Sequence, residues 1–224
     1  HINHDYTGAS RLSSFYLEPD YCCDFYDQLL SKSRLLFMAC FPERFAATTI
    51  AEMKGVIGSD GVSPFWESVG RHFFTMDFNE ADLLTTSSNK HFIANLMPRY
   101  PLYVPLLSDK AQAVIGQHHD DVEDIVNILE HEGLHFEGHV DIFDAGPILE
   151  VRTRHLRAIR HAEQAQALIG DEVLHGKRVL VCNNSCLNFR CIIARKQGLS
   201  LVLSAGQIDS LKVATGDTLT YCQL

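Results

Sequence analysis

The feature that most constrains this fold is a change of texture near Arg160. Before it, helix-type and strand-type segments alternate. After it, a polar Ala- and Gln-rich stretch (161–176) gives way to short apolar runs of strand type. Alternation of this kind predicts a mixed sheet with flanking helices, and clustered short strands predict a small β-rich unit. The expected organisation is therefore an α/β domain over 1–160, a linker or surface helix over 161–176, and a β-rich C-terminal subdomain over 177–224. At 224 residues and 46% hydrophobic content, the chain can bury one sizeable core plus a small satellite.

Within the first part, Arg11–Glu18 alternates and reads as a strand closed by Pro19. Gln28–Phe45 places Leu29, Leu30, Leu35, Leu36, Met38 and Phe41 at helical spacing. Thr48–Met53 reads as a strand and 55–61 as a loop. Pro64–Phe73, with the chain's one Trp at Trp66, reads as an amphipathic core helix, followed by helices over Glu80–Thr86 and Lys90–Leu96. Ser108–Ile115 and Asp120–Glu132 are the next helices. Ser108 is a natural N-cap, the acidic start at Asp120 suits a helix N-terminus, and Gly133 is placed to end the second. Leu134–Phe143 then alternates as a strand. In the tail, Arg178–Cys182, Phe189–Ala194, Leu199–Leu203 and Thr218–Tyr221 are strand candidates, with a short helix over Gln207–Val213.

A formal net charge of −9 argues against a nucleic-acid partner, which calls for a basic face. Lys32 and Arg34 could still form a local basic patch. No apolar run reaches the ~20 residues that span a bilayer, and no signal peptide is visible. Seven Cys in no regular framework read as reduced, inert thiols of a cytoplasmic protein, Cys22 included. His131-Glu132-Gly133-Leu134-His135 spells the H-E-x-x-H zinc pattern, but the chemistry needs both His one helical turn apart. Here a helix end falls inside the motif, so the two His should not share a face, and no metal site is expected.

Several blocks carry a family resemblance: Leu-Leu-Ser-Lys-Ser-Arg (29–34), Ala-Glu-Met-Lys-Gly-Val (51–56) and the run from Ser63 to Asp82. Phe-Ile-Ala-Asn-Leu-Met-Pro (92–98), Ala-Val-Ile-Gly-Gln-His-His (113–119) and Asp-Ile-Phe-Asp-Ala-Gly-Pro (141–147) continue it in order. Together they resemble the arginine N-succinyltransferase family. The resemblance implies an acyl-CoA N-acyltransferase-type mixed sheet and the transfer of succinyl from succinyl-CoA to the α-amine of L-arginine, in arginine catabolism. Succinyl-CoA would be a co-substrate, with no further cofactor. His119 matches the family's proton donor, and its place before a helix N-terminus favours a neutral imidazole. The strand–loop–helix over 11–34 would bind succinyl-CoA through Phe15, Tyr16, Asp27 and Gln28, with main-chain N–H groups near Ser14–Tyr16 holding the oxyanion.

The phosphate loop departs from the family pattern. Cys22 stands at its basic position, and Phe25 and Asp27 stand at its glycines. Thr86-Ser87-Ser88 replaces a second Gly-containing turn, and Arg11 and Asn95 stand where the family has Glu. These departures raise the alternative of a non-catalytic paralogue or partner subunit. Family members also carry a segment before Asp5, which predicts either a trimmed chain or a sheet edge at Arg11 covered in a homo- or hetero-oligomer.

Overall fold

The computed structural model describes residues 1–21, 25–86, 100–171, 173–198 and 200–224. In chain order the described strands are β1 (Ser10–Leu12), β2 (Thr48–Glu52), β3 (His135–Val140), β4 (Pro147–Arg152) and β5 (Glu163–Gln166). They continue as β6 (Leu168–Ile169), β7 (Lys177–Asn183), β8 (Cys191–Lys196), β9 (Val202–Leu203) and β10 (Thr218–Gln223). The described α-helices are α1 (Tyr26–Cys40), α2 (Pro64–Ser68), α3 (Gly70–Phe74), α4 (Phe78–Thr86) and α5 (Asp109–Val114). After these come α6 (Glu123–His131), α7 (Arg157–Arg160) and α8 (Ala205–Leu211). The fold is mixed α/β.

Two compact units interleave along the chain. The first comprises 1–13, 48–127 and 134–150, and the second 14–47, 128–133 and 151–224.

The first unit carries a sheet of order β1-β2-β4-β3. β1 and β2 pair in parallel, so the chain between them must make a crossover. β3 and β4 are antiparallel, with a register shift between Phe136 and Val140. The helices surround Trp66, which stacks on Phe74 and Phe143 and donates its indole N–H to Met76 O at 3.0 Å. The single helix expected over 64–73 is broken at Val69 into α2 and α3. A Cβ on Gly70 would lie 2.1 Å from the indole, so only glycine lets the backbone pass there. Ser108 caps α5 as expected, its Oγ accepting from Ala111 N.

The second unit is built on the antiparallel sheet β5-β10-β7-β8. One face packs Val179, Val181, Leu203, Leu211 and Leu219 into a core. Helix α1 packs on β7, β8 and β10. This two-sided burial explains why β7 is buried continuously from Val179 to Asn183 rather than alternately. The stretch 161–176, expected as linker or surface helix, instead supplies β5 and β6. Its polar residues suit an edge strand paired on one side to β10. The strand expected over Arg11–Glu18 stops at Leu12, because Ser14 takes a left-handed turn at φ 57°. Pro42 ends α1 before Phe45, as an internal proline must. Lys90–Leu96 lies outside the described residues.

Candidate active site

His119 sits in the first unit, and its backbone is fixed from two directions. Its N–H donates to Lys54 O at 2.8 Å, while His118 bridges to Gly55 just past β2. Gly55 is in turn held by the turn of Asp141–Pro147. Asp144 accepts from Gly55 N at 2.7 Å with one carboxylate oxygen and from Gly146 N at 2.8 Å with the other. A side chain at Gly55 would fall 2.5 Å from Asp144 O, and one at Gly146 would fall 2.1 Å from Met53 O. Gly116 N donates to Ala145 O at 2.9 Å and closes the frame. The sequence block 141–147 thus clasps the strand end that carries the histidine.

The imidazole faces Asp121. Its Nδ1 lies 3.2 Å from Asp121 N and 3.2 Å from the Asp121 carboxylate, which also pairs with Lys54 Nζ at 3.3 Å. Against the main-chain N–H, Nδ1 accepts and the proton resides on Nε2. Against the carboxylate, Nδ1 carries the proton and Nε2 can take one up and pass it on. The hydrogen bond from Asp121 N assigns the Nε2–H tautomer to the resting ring, and a switch of Nδ1 to the adjacent carboxylate, with the proton moved to Nδ1, frees Nε2. With 24% of its side chain exposed, His119 is reachable by a substrate.

The other sequence-predicted residues lie in the second unit. Phe15 and Tyr16 follow the Ser14 turn in an irregular segment. Phe15 is half-buried, with the Arg34 guanidinium 5.8 Å from its ring centre. Tyr16 is 70% exposed and donates its hydroxyl to Glu18 at 3.1 Å. Asp27 and Gln28 occupy the first turn of α1, half-buried. Phe25, the N-cap, adopts φ 72° and ψ 14°, the left-handed backbone that a glycine favours. The loop therefore keeps a glycine-type turn although the residue is Phe. The Phe25 ring packs against the Arg178 guanidinium at 4.1 Å. Beside α1 a cleft of about 310 Å³ is lined by Leu17, Tyr21, Tyr26, Leu30 and Phe189. Arg178 and Phe189 come from β7 and the loop before β8, more than a hundred residues downstream, and no sequence signal links them to the loop. Cys22, Ser87, Ser88 and Asn95 lie outside the described residues.

One expectation is corrected by geometry. Lys32 is not part of a surface basic patch. It is buried at 3% exposure and pairs with Glu132, itself 2% exposed, at 3.0 Å. Its charge is already matched, and a phosphate could not displace Glu132 without stranding a buried carboxylate. Arg11 is paired to Glu52 at 2.9 Å on the neighbouring strand.

The H-E-x-x-H segment divides as its glycine predicts. α6 ends at His131, Gly133 turns at φ 105°, and His135 begins β3. Glu132 serves structure, since it also accepts from Ala158 N at 2.7 Å. His131 lies 2.9 Å from Arg157, and His139 contacts the Tyr6 hydroxyl at 2.8 Å. Among the described residues no helix is long and apolar enough to cross a membrane.

Comparison with known proteins supplies the remaining context. The family described as arginine N-succinyltransferase beta subunit matches residues 1–158. The arginine N-succinyltransferases of Salmonella typhi and of Escherichia coli (strain SE11) are each 41% identical over 226 residues. Those alignments cover 100% of this chain and 66% of each relative. The solved structure of the arginine/ornithine succinyltransferase subunit AI from Pseudomonas aeruginosa superposes with a TM-score of 0.87 at 36% identity. It covers 99% of this chain and 64% of that one. The chain thus spans just under two thirds of the length of the relatives it matches.

Proposed function

Because this chain belongs to the arginine N-succinyltransferase family, we propose that it transfers succinyl from succinyl-CoA to the α-amine of L-arginine. The observation that carries this reading is the His119–Asp121 pair, with Nδ1 at 3.2 Å from the carboxylate. The amine attacks the thioester carbonyl, a C–N bond forms, and the C–S bond breaks. His119 takes the ammonium proton at Nε2 and returns it to the departing thiolate. Asp121, itself paired to Lys54, orients the ring and stabilises the imidazolium formed between those steps. Succinyl-CoA would lie along Phe15, Tyr16 and the first turn of α1 at Asp27 and Gln28, with the oxyanion on main-chain N–H groups near Ser14–Tyr16. No cofactor beyond this co-substrate takes part. The free thiols among the described residues suit a reducing compartment, and we place the chain in the cytoplasm. The matched family is described as a beta subunit and the Pseudomonas aeruginosa protein as a subunit, which supports an oligomeric assembly.

The test is arginine-dependent release of CoA from succinyl-CoA, followed by chromatography because thiol dyes would report the protein's own Cys. Turnover is expected, and His119→Ala should lower kcat by roughly 10²–10⁴. Turnover that survives His119→Ala unchanged would remove the histidine from the mechanism. Absence of both turnover and succinyl-CoA binding would leave a non-catalytic partner role.

A further inference from the structure

A second cleft in the C-terminal unit, of about 600 Å³, lies on β7, β8 and β10 and is lined by none of the residues assigned above to catalysis or succinyl-CoA. Val179 and Tyr221, which share one face of the sheet, supply apolar lining, and Cys222 adds to it from the next position of β10. Three cations from three elements line it: Arg157 of α7, Lys177 of β7 and Lys196 of β8, with His161 beside them. One carboxylate, Glu163, opposes them, and it is engaged by the Tyr221 hydroxyl.

The strand register makes this concentration of charge unusual. Lys177 stands directly opposite Lys196, on the sheet face that also carries Val179. Like charges facing each other across a ladder destabilise it. This like-charged pair occurs in a chain whose formal net charge is −9. A single exchange to Glu or Thr would relieve it. Two of the cations are also held in place. Lys196 Nζ donates to Gly198 O at 2.8 Å and lies 5.3 Å over the Tyr221 ring. Arg157 is fixed at 2.9 Å from His131, with further N–H groups of its fork available. Fixed cations around an apolar floor form the usual recognition surface for a small carboxylate or phosphate carrying a carbon body.

We infer that this cleft binds a small organic dianion, a dicarboxylate or a phosphomonoester, with its charged ends on Arg157, Lys177 and Lys196 and its body against Tyr221. Three cations against one engaged carboxylate leave a surplus of about two positive charges, which sets the charge of the ligand. The volume exceeds what inorganic phosphate alone would fill.

Titration calorimetry on the whole chain tests this, with succinate and glycerol 3-phosphate as the two probes and inorganic phosphate as a third. One organic probe is expected to bind with 1:1 stoichiometry and more tightly than inorganic phosphate. Lys177→Gln together with Lys196→Gln should weaken it by about tenfold or more, which is 1.4 kcal/mol per factor of ten. The exposed single change Lys177→Gln, which should leave the fold intact, is expected to weaken it measurably as well. Succinate as the tighter probe would identify a dicarboxylate site, and glycerol 3-phosphate a phosphomonoester site. Three results would overturn the inference: no organic probe binding at millimolar concentration, inorganic phosphate binding as tightly as both, or affinity unmoved by the lysine changes in a folded variant. The last would place any bound succinate at the acyl-transfer site instead.

Discussion

Burial, reinforced by the neighbouring charge of Asp144, pushes the Asp141 carboxyl up from 3.8 to about 6. The same carboxylate accepts from Phe143 N at 2.7 Å, which opposes the rise only in part. The sign of the consequence follows from proton counting. Between the unfolded value and about 6 the folded chain holds a proton that the unfolded chain has released. Stability contributed by this group is therefore present at about pH 4 and is lost as pH rises to about 6. The loss is on the order of 2 kcal/mol at roughly 1.4 kcal/mol per unit. Asp141→Asn keeps the acceptor oxygen and cannot ionise. Its urea midpoint should exceed that of the parent by more at about pH 7.5 than at about pH 4.5. The reverse order would mean that the carboxylate is stabilised by the turn. Residue-level reading of the sequence worked where local chemistry was decisive, as with Ser108 and Gly133. It misjudged Lys32, because nothing near Lys32 in the sequence announces a partner a hundred residues away at Glu132.

Helix α1 begins in an unusual way, since its N-cap is an L-residue with a ring in the left-handed region. That conformation costs an ordinary residue about 1–2 kcal/mol, and the contact with Arg178 offsets about 0.5–1 kcal/mol of it. Phe25→Ala removes the ring but keeps the strain, whereas Phe25→Gly removes both. The glycine variant should therefore unfold at higher urea than the alanine variant, by about 1 kcal/mol. Equal midpoints, or alanine ahead, would show that residue 25 does not hold a positive φ in solution. The elements hardest to read in the sequence were those whose neighbours create them. β4 has Leu149 and Val151 buried but opens at Pro147 and carries Glu150 and Arg152, so no extended apolar run marks it. β5 is polar because only its pairing with β10 makes it a strand. The long helix signal over 28–45 and the strand signal over 48–53 were legible because periodicity alone specifies them.

At the scale of the molecule, the change of texture at Arg160 marks where short strands cluster, and packing crosses it. α1 precedes that point by more than a hundred residues, yet it covers the sheet that follows it. Cys40 at its end lies 3.6 Å from Cys182 on β7, across a sequence separation of 142. No period in a sequence records such a contact, which is why nothing in the sequence joins Arg178 or Phe189 to the loop before α1. A cut at residue 160 should consequently fail as a domain cut. The fragment 1–160 keeps Leu35, Leu36 and Met38, all buried in the whole chain, but loses β7, β8 and β10, on which α1 packs. It also keeps Lys32 and Glu132 while removing much of what shields them from water. The expected fragment exposes the apolar face of α1, binds a hydrophobic dye and loses a single cooperative urea transition, while the whole chain retains one. A fragment that unfolds cooperatively without binding dye would mean that the first 160 residues bury their own core, and that α1 requires no help from the sheet downstream.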